Sequence, residues 1–173
     1  IEGTDAAAKA AILAGLAFHT RVNIKDVSCE GITKISARDV AVAHDINHVI
    51  KLLAIAEVST SSNIEEITIR VHPTLIPRQH PLGGAPTASA VLGDLIAIAR
   101  NKTRGGEGHG ESDYVQLRLA DRGNVLTRYL IRMDVADKPG VLATVAQIFA
   151  ANNVSIETVR QSGQGASAEL ILM

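Results

Sequence analysis

The chain opens with IEGTDAAAKAAILAGLAF (residues 1–18), a run of good helix formers that carries an acid and an amine near its start. Asp5 and Lys9 are four residues apart, so a helix places both side chains on one face. Thr4 or Asp5 would cap the helix, and the helix dipole favours a carboxylate there. The apolar continuation to Phe18 predicts a buried helix that carries two charges at its beginning.

Two interpretations of this acid–amine pair are open. Most such pairs at a spacing of four residues are solvated surface pairs that contribute less than about 1 kcal/mol to stability. A covered pair, in contrast, can bind a polar substrate and move a proton. The spacing favours the surface pair, whereas the apolar run after Lys9 favours the covered pair.

The composition restricts the classes of function. With 173 residues, 46% of them hydrophobic, the chain can form one ordinary domain or two small ones, each with a core. A net charge of -1 and an aromatic content of 2% argue against nucleic acid as the main partner. Cys29 is the single cysteine and no apolar run is long enough to cross a bilayer, so a cytoplasmic protein without a membrane partner is predicted.

Hydrophobic periodicity predicts helices and strands in the first 82 residues. A short strand is predicted at residues 31–35, and strands follow at 49–58 and 64–71. Ser36 is the expected cap of a helix with three apolar residues on one face: Val40, Ala43 and Ile46. Three prolines are then expected to break any regular element: Pro73, Pro77 and Pro81.

The middle of the chain predicts a helix and a linker. GGAPT (residues 83–87) opens a helix to Arg100, with Pro86 in its first turn. Glycines before a helix allow a phosphate or another backbone to approach, although an ordinary loop-to-helix turn is favoured. Residues 103–112 are glycine-rich and polar, which predicts a flexible linker.

The end of the chain predicts a βαβ unit with one further strand. The strands are expected at residues 129–135, 154–159 and 168–173, and the helix at 141–152. Five apolar residues of this helix are expected to face inward: Val141, Leu142, Val145, Ile148 and Phe149.

Two separate segments resemble homoserine dehydrogenases. EGTDAAAKAAIL (residues 2–13) is similar to the substrate-site helix of that family. GGAPTASAVLGDL (residues 83–95) looks like the helix by which the chain returns to the cofactor domain. Between them, HPTLIP (72–77) and HPL (80–82) match in the same order. The resemblance covers nearly the whole chain.

The last segment resembles an ACT domain, a small amino-acid-binding module, over residues 129–161 with DKPGVL at 137–142. The resemblance implies an α/β (α+β) fold with a mixed sheet and covering helices at residues 1–102. A linker at 103–124 and an incomplete ferredoxin-like βαβ ACT domain at 125–173 would follow.

The resemblance leaves parts of the family unmatched. The nucleotide-binding half, with its GxGxxG loop, and the ligands of a structural monovalent cation implied by the family have no counterpart here. The family also has a further stretch between the matches to Leu82 and Gly83. We therefore expect this sequence to be part of a longer chain.

The resemblance implies NAD(P)H-dependent reversible reduction of L-aspartate 4-semialdehyde to L-homoserine, in threonine, methionine and isoleucine biosynthesis. Lys9 matches the catalytic lysine, and Asp5 matches the acid that binds the substrate amino group and orients the lysine. Gly83 and Thr87 match positions near the cofactor. The alternative is a non-catalytic ACT-type regulatory module, because the cofactor half is missing.

For the ACT segment, the resemblance implies threonine as feedback inhibitor and a homodimer or homotetramer, because ACT modules pair edge to edge. The loop from Asp137 to Gly140 meets the helix at Val141, where backbone N–H groups could hold a ligand carboxylate. Asn153 either contacts the ligand or ends the helix, which is the commoner role.

A metal site is a weaker hypothesis. His44 and His48 are four residues apart and could share a metal on one helix face. Because no suitable third ligand is evident, a surface pair is favoured and no metal is predicted.

Overall fold

The computed structural model describes residues 2–61, 64–83, 114–121, 123, 125–163 and 165–173. They belong to two compact units, Ile1–Val125 and Leu126–Met173. The predicted return helix, most of the predicted linker, and Thr87 lie outside the described residues.

The first unit is a mixed sheet with helices. In chain order, its described elements are α1 (Thr4–Phe18), a 3₁₀ helix (Ile24–Asp26), β1 (Ser28–Cys29), α2 (Ala37–Asp45), β2 (His48–Ser61), β3 (Ile64–Pro77) and β4 (Arg118–Leu119). Strand β3 is central: β2 is antiparallel to it, whereas β1 and β4 are parallel to it. The predicted fold class of this unit is confirmed.

Helix α1 packs its alanine face into the core of this unit. Four alanines at the spacing of one helical face are buried: Ala7, Ala10, Ala11 and Ala14. Their core cluster includes alternate residues of β3: Ile67, Ile69 and Val71. Because alanine ends at Cβ, the helix backbone can lie close to the core. The helix ends at His19, which has a left-handed φ of 48°.

Strand β3 continues through Pro73 and ends at Pro77, and Pro81 lies in the turn that follows. The prediction that all three prolines break regular structure is therefore wrong for Pro73 only. The ladder with β2 extends to Pro77 and includes Pro73. Val71 accepts a hydrogen bond from the Glu30 N–H, so its backbone groups point toward β1. The backbone groups of residues two apart point to the same side of a strand, so an N–H at Pro73 or Pro77 would also point toward β1. Because β1 has already ended there, neither proline removes a hydrogen bond from the ladder with β2.

The predicted strand at residues 31–35 is also wrong. This segment is a turn in which the Ile35 N–H donates to the Ile32 carbonyl at 3.1 Å. Pairing with β3 occurs earlier, in β1, and its last contact joins the Glu30 N–H to the Val71 carbonyl at 2.7 Å. The chain must then turn to reach the start of α2.

Helix α2 starts at the predicted cap but packs through a different face. Val42 and Ala43 are buried, whereas Val40 is 54% exposed. Ile46 is the residue that caps the helix end, because α2 stops at Asp45. Because the helix ends before Ile46, that residue cannot contribute to the helical face. The buried face consists of Ala43, as predicted, and Val42.

The cap itself provides a stability test. The Ser36 hydroxyl accepts the Asp39 N–H at 3.2 Å, and the Asp39 carboxylate accepts the Ser36 N–H at 2.8 Å. Ser36→Ala should lower the free energy of unfolding by about 1 kcal/mol, whereas Ser36→Gly should lower it by only a few tenths. Chemical denaturation measures both, and equal stability of the alanine variant and the parent would contradict the capping role.

Residues 114–120 return to the first unit. Thr20 is buried and forms a bridge with Val115, and its hydroxyl accepts the Leu117 N–H at 3.3 Å. Within the predicted linker at 103–124, Val115 and Leu117 therefore contact the first unit at Thr20, so this part of the segment is not a flexible linker. The predicted domain limits themselves stay predictions.

The second unit is a split βαβ arrangement. Its described elements are β5 (Ile131–Ala136), α3 (Val141–Ala151), β6 (Val159–Ser162) and β7 (Ser167–Leu172). Strand β7 lies between β5 and β6 and is antiparallel to both, so β5 and β6 run parallel to each other. This is the ferredoxin-like pattern, and that prediction is confirmed. Among the described helices of the chain, none is long and apolar enough to span a membrane.

Two details of the second unit differ from the prediction. The strand expected at residues 154–159 begins only at Val159, which pairs with Leu172. Helix α3 has no fully buried residue, and Leu142 and Ile148 are exposed although they were expected to face inward. One three-stranded sheet thus covers the apolar face of α3 only in part.

Candidate functional site

The Asp5–Lys9 pair forms as the sequence predicts. Lys9 Nζ donates to Asp5 Oδ2 at 2.7 Å, one helical turn apart. The side chains are 68% exposed for Lys9 and 81% exposed for Asp5. Such an open pair contributes little to stability, about 0.2–0.5 kcal/mol.

The helix start differs from the prediction. Gly3 is the N-cap, with a left-handed φ of 88°, and no side chain caps the helix. Thr4 and Asp5 are therefore the first helical residues rather than caps. The Asp5 carboxylate still lies in the first turn, where the unpaired N–H groups favour negative charge.

The exposed face of α1 combines the ion pair with large apolar side chains. Ile12, Leu13 and Leu16 are each more than 60% exposed, and their spacing places them on the same face as Asp5 and Lys9. Of the two interpretations of the pair, the described residues show the exposed one, because the alanines occupy the buried face of α1 and Lys9 lies outside it. Exposed apolar side chains clustered around a charge pair are typical of a surface that binds a ligand or another part of a protein.

Gly83 lies in a tight turn after β3. Its N–H donates to the His80 carbonyl at 2.7 Å. A Cβ added at Gly83 would meet three carbonyl oxygens, those of Pro77, Arg78 and His80. Glycine is thus needed here for space. The predicted role of Gly83 beside the cofactor stays a prediction.

A second candidate site is a cavity of about 380 Å³ at one edge of the second unit. Its wall includes the whole loop from Asp137 to Gly140 and the first turn of α3. Three aliphatic side chains complete one side: Val135, Leu142 and Leu170. The structure thereby brings the predicted residues Asp137, Gly140 and Val141 together around one cavity.

The polar groups of this cavity suit an amino acid. The Asp137 carboxylate accepts a hydrogen bond from the Gln161 amide at 3.5 Å. Helix α3 has no side-chain cap, and Gly140 at its start has a left-handed φ of 90°. The first N–H groups of a helix lack partners within it and attract a carboxylate. The Val141 N–H already donates to the Lys138 carbonyl at 3.4 Å, so a ligand carboxylate would depend on the other N–H groups of the first turn. A site with an acid and such a helix start can bind both charges of an amino acid.

Gln161 is a cavity residue that the sequence did not reveal. It lies in β6, and β5 and β6 end at the same edge of the sheet because they run parallel. Gln161 therefore approaches the loop that follows β5. Asp137 and Gln161 are 24 residues apart in the sequence, so only the order of the three strands shows that the two side chains meet.

Asn153 is not brought to this cavity. It follows the last turn of α3, whereas the cavity lies at the first turn, and an eleven-residue helix is about 16 Å long. Its left-handed φ of 56° and its N–H donated to the Ala150 carbonyl are those of a helix-ending residue. The structure therefore gives Asn153 the geometry of a helix terminator, and its role as a ligand contact stays a prediction.

The two histidines do not form a helical pair. His44 is in the last turn of α2, whereas His48 begins β2. His44 Nε2 accepts a hydrogen bond from Arg78 at 3.3 Å, and His48 Nδ1 donates to the Ile46 carbonyl at 2.6 Å. No group of three or more His, Cys, Asp or Glu suited to a metal occurs in the part of the chain that the structure describes.

Comparison with known proteins agrees with the two units. Residues 1–85 match the family described as homoserine dehydrogenase, and residues 129–173 match the ACT domain family. The homoserine dehydrogenase of Corynebacterium glutamicum is 47% identical over 201 positions, which cover 100% of this chain and 45% of that protein. The one from Mycobacterium tuberculosis H37Rv is 47% identical over 94% of this chain and 43% of its own length.

The chain spans a little under half the length of these relatives. The Corynebacterium alignment runs over 201 positions against 173 residues, so at least 28 positions of the relative have no counterpart in this chain. A crystal structure of a homoserine dehydrogenase from Thiobacillus denitrificans matches with a TM-score of 0.73 and 30% identity over 99% of this chain and 46% of that chain. Residues 1–85 therefore belong to the homoserine dehydrogenase family, and residues 129–173 belong to the ACT domain family.

Proposed function

We propose that residues 1–85 are the substrate-binding and proton-transfer part of an NAD(P)H-dependent homoserine dehydrogenase. The reaction would be the reversible reduction of L-aspartate 4-semialdehyde to L-homoserine. The observation that carries the proposal is the 2.7 Å contact of Lys9 Nζ with Asp5 Oδ2, inside the segment that matches the family. The apolar face around this pair supports a pocket that is completed by another part of the longer enzyme.

Lys9 is the proposed proton donor. When a hydride adds to the aldehyde carbon, the π electrons move to oxygen and form an alkoxide. The Lys9 ammonium stabilises this charge and gives its proton to the oxygen, which yields the hydroxyl of homoserine. Asp5 holds the ammonium in place and binds the amino group of the substrate. In the reverse direction, the neutral amine of Lys9 removes the hydroxyl proton.

The described residues do not themselves fit a dinucleotide. NAD(P)H would supply the hydride, but the sequence has no GxGxxG loop. Carbonyl oxygens surround Gly83, and they repel phosphate rather than bind it. We therefore assign cofactor binding to a part of the longer enzyme outside the described residues. The monovalent cation of the family is likewise assigned no ligand in this chain.

Residues 129–173 are the proposed regulatory part, with threonine as the inhibitor. The match to the ACT family and the cavity at Asp137 support this. The carboxylate of threonine would bind the N–H groups at the start of α3, and its ammonium would bind Asp137. The aliphatic wall suits the methyl group. Inhibition requires that threonine bind two arrangements of the enzyme with different affinity.

We further propose a homodimer or homotetramer in the cytoplasm. In the described part of the second unit, β5 and β6 are the outer strands of the sheet, and each has an edge at which another ACT domain could pair. Sedimentation of the full-length enzyme with and without threonine measures the oligomer.

Turnover of the full-length enzyme separates the two candidate functions. A dehydrogenase consumes NADPH with aspartate 4-semialdehyde and forms homoserine, and threonine slows it. A non-catalytic amino-acid-binding module, the alternative supported by the ACT match, binds threonine in calorimetry but forms no homoserine. Valine, which replaces the hydroxyl of threonine by a methyl group, is the control ligand and should bind more weakly.

A further inference from the structure

The start of α1 is in unusually close contact with β1. Gly3 is buried, and its φ of 88° is one that residues with a side chain rarely adopt. A Cβ added at Gly3 would lie 2.8 Å from Cys29 Sγ and 3.4 Å from Val71 Cγ1. The Cys29 thiol thus lies directly against the Gly3 backbone, and Gly3 has no space for a side chain.

Hydrogen bonds join this contact to the sheet and to the helix. The Cys29 thiol donates to the Glu2 carbonyl at 3.5 Å. Immediately after Cys29, the Glu30 N–H donates to Val71 of β3 at 2.7 Å, which holds this segment against β3. The Gly3 carbonyl accepts the first hydrogen bond of α1, from the Ala7 N–H at 2.8 Å. The position of the first helical turn is therefore set from β1.

We propose that Gly3 and Cys29 are positioning residues for Lys9, an inference that rests on the proposed function of Lys9. Their contact sets the distance between β1 and the first turn of α1. Asp5 lies in that turn and Lys9 lies one turn further along the helix, so the same contact sets the position of both side chains. Neither positioning residue touches the substrate. Because proton transfer requires close alignment, a shift of about 1 Å can cost on the order of 100-fold in rate.

Two variants of the full-length enzyme test the role of Cys29. Cys29→Ser keeps a small donor for the Glu2 carbonyl and should keep kcat within about twofold of the parent. Cys29→Leu replaces the thiol that contacts Gly3 by a larger, branched side chain, so the first turn of α1 should shift and kcat should fall at least tenfold. Val42→Ala is the control, since Val42 is buried in α2 of the same unit and is not part of the core cluster that contains the alanines of α1. It should lower the melting temperature and leave kcat unchanged.

A double-variant cycle distinguishes positioning from general damage. If Cys29 acts through Lys9, then Cys29→Leu should have no further effect on kcat in a Lys9→Ala background. An equal loss of kcat in both backgrounds would overturn the proposal, and so would full kcat in the Cys29→Leu enzyme. If Lys9→Ala retains full kcat, the proposed role of Lys9 itself is rejected. If Lys9→Ala loses kcat but Cys29→Leu does not, only the positioning role of Cys29 is rejected.

Alkylation provides a test that does not depend on folding of a variant. Cys29 is exposed, so iodoacetamide can reach it in the folded enzyme. Alkylation of Cys29, confirmed by mass spectrometry, should lower turnover at least tenfold in the parent and leave the Cys29→Ser enzyme active. Full turnover of the alkylated parent would contradict the proposal.

Discussion

Lys9→Ala in the full-length enzyme should lower kcat for reduction of aspartate 4-semialdehyde by about a thousandfold, within the range of 10²–10⁴ that a positioned proton donor contributes. The loss should appear without unfolding. The Lys9 side chain is 68% exposed, and surface substitutions usually change stability by no more than about 0.5 kcal/mol. Steady-state kinetics and thermal melting measured on the same preparation check both parts.

A matched control is available in the same unit. Lys34 is also an exposed lysine, in the turn before α2, so Lys34→Ala removes the same charge and should leave kcat unchanged. Asp5→Asn should raise KM for the substrate and lower kcat, because it weakens both proposed contacts of the carboxylate. If Lys9→Ala retains kcat within twofold of the parent, Lys9 is not the proton donor.

The contact between Asp5 and Lys9 was predictable because it is local. Helical spacing alone places the two side chains on one face, and the helix follows from composition. Their exposure was not predictable in this way. It depends on which face of α1 packs inward, and the chain buries its alanines while Ile12 and Leu13 stay outside.

The sheet of the first unit shows where local rules fail. Prolines were expected to end β3, but the cost of proline in a strand depends on which side its missing N–H would face. At Pro73 that side is the one where β1 has already ended. The rule therefore needs the neighbouring strands, which a single sequence does not give. The capping pair of Ser36 and Asp39, in contrast, needs only four consecutive residues and forms as the pattern indicates.

In the second unit, too, local features were predictable from the sequence and long-range contacts were not. Asp137, Gly140 and Val141 are consecutive parts of one loop and helix start, so the sequence brings them together. Gln161 reaches them only through the strand order of the sheet. Asn153 was a candidate because of its residue type, but an intervening helix separates it from the cavity. Local motifs thus predicted the loop and helix start that line the candidate cavity, whereas the contribution of Gln161 depends on the strand order.

Asp137→Asn should raise the threonine concentration that half-inhibits the full-length enzyme by about tenfold or more. A hydrogen bond to a charged group contributes about 1.5–3 kcal/mol, and 1.4 kcal/mol corresponds to a factor of ten in affinity. Asparagine has almost the same shape as aspartate, so the loop after β5 should keep its structure. The kcat without threonine should not change, because the substitution is far along the chain from Lys9 and in the other compact unit.

Glu157→Gln is the control for this substitution. Glu157 is an exposed acid of the same unit whose carboxylate binds Arg128 at 2.8 Å, and it does not line the cavity. The variant loses the same charge, so its half-inhibitory threonine concentration should stay at the parent value. Calorimetry with threonine then separates binding from coupling: weaker binding in Asp137→Asn places the ammonium of threonine at this carboxylate. If Asp137→Asn binds threonine as tightly as the parent and is inhibited at the same concentration, the inhibitor does not occupy the cavity at the start of α3.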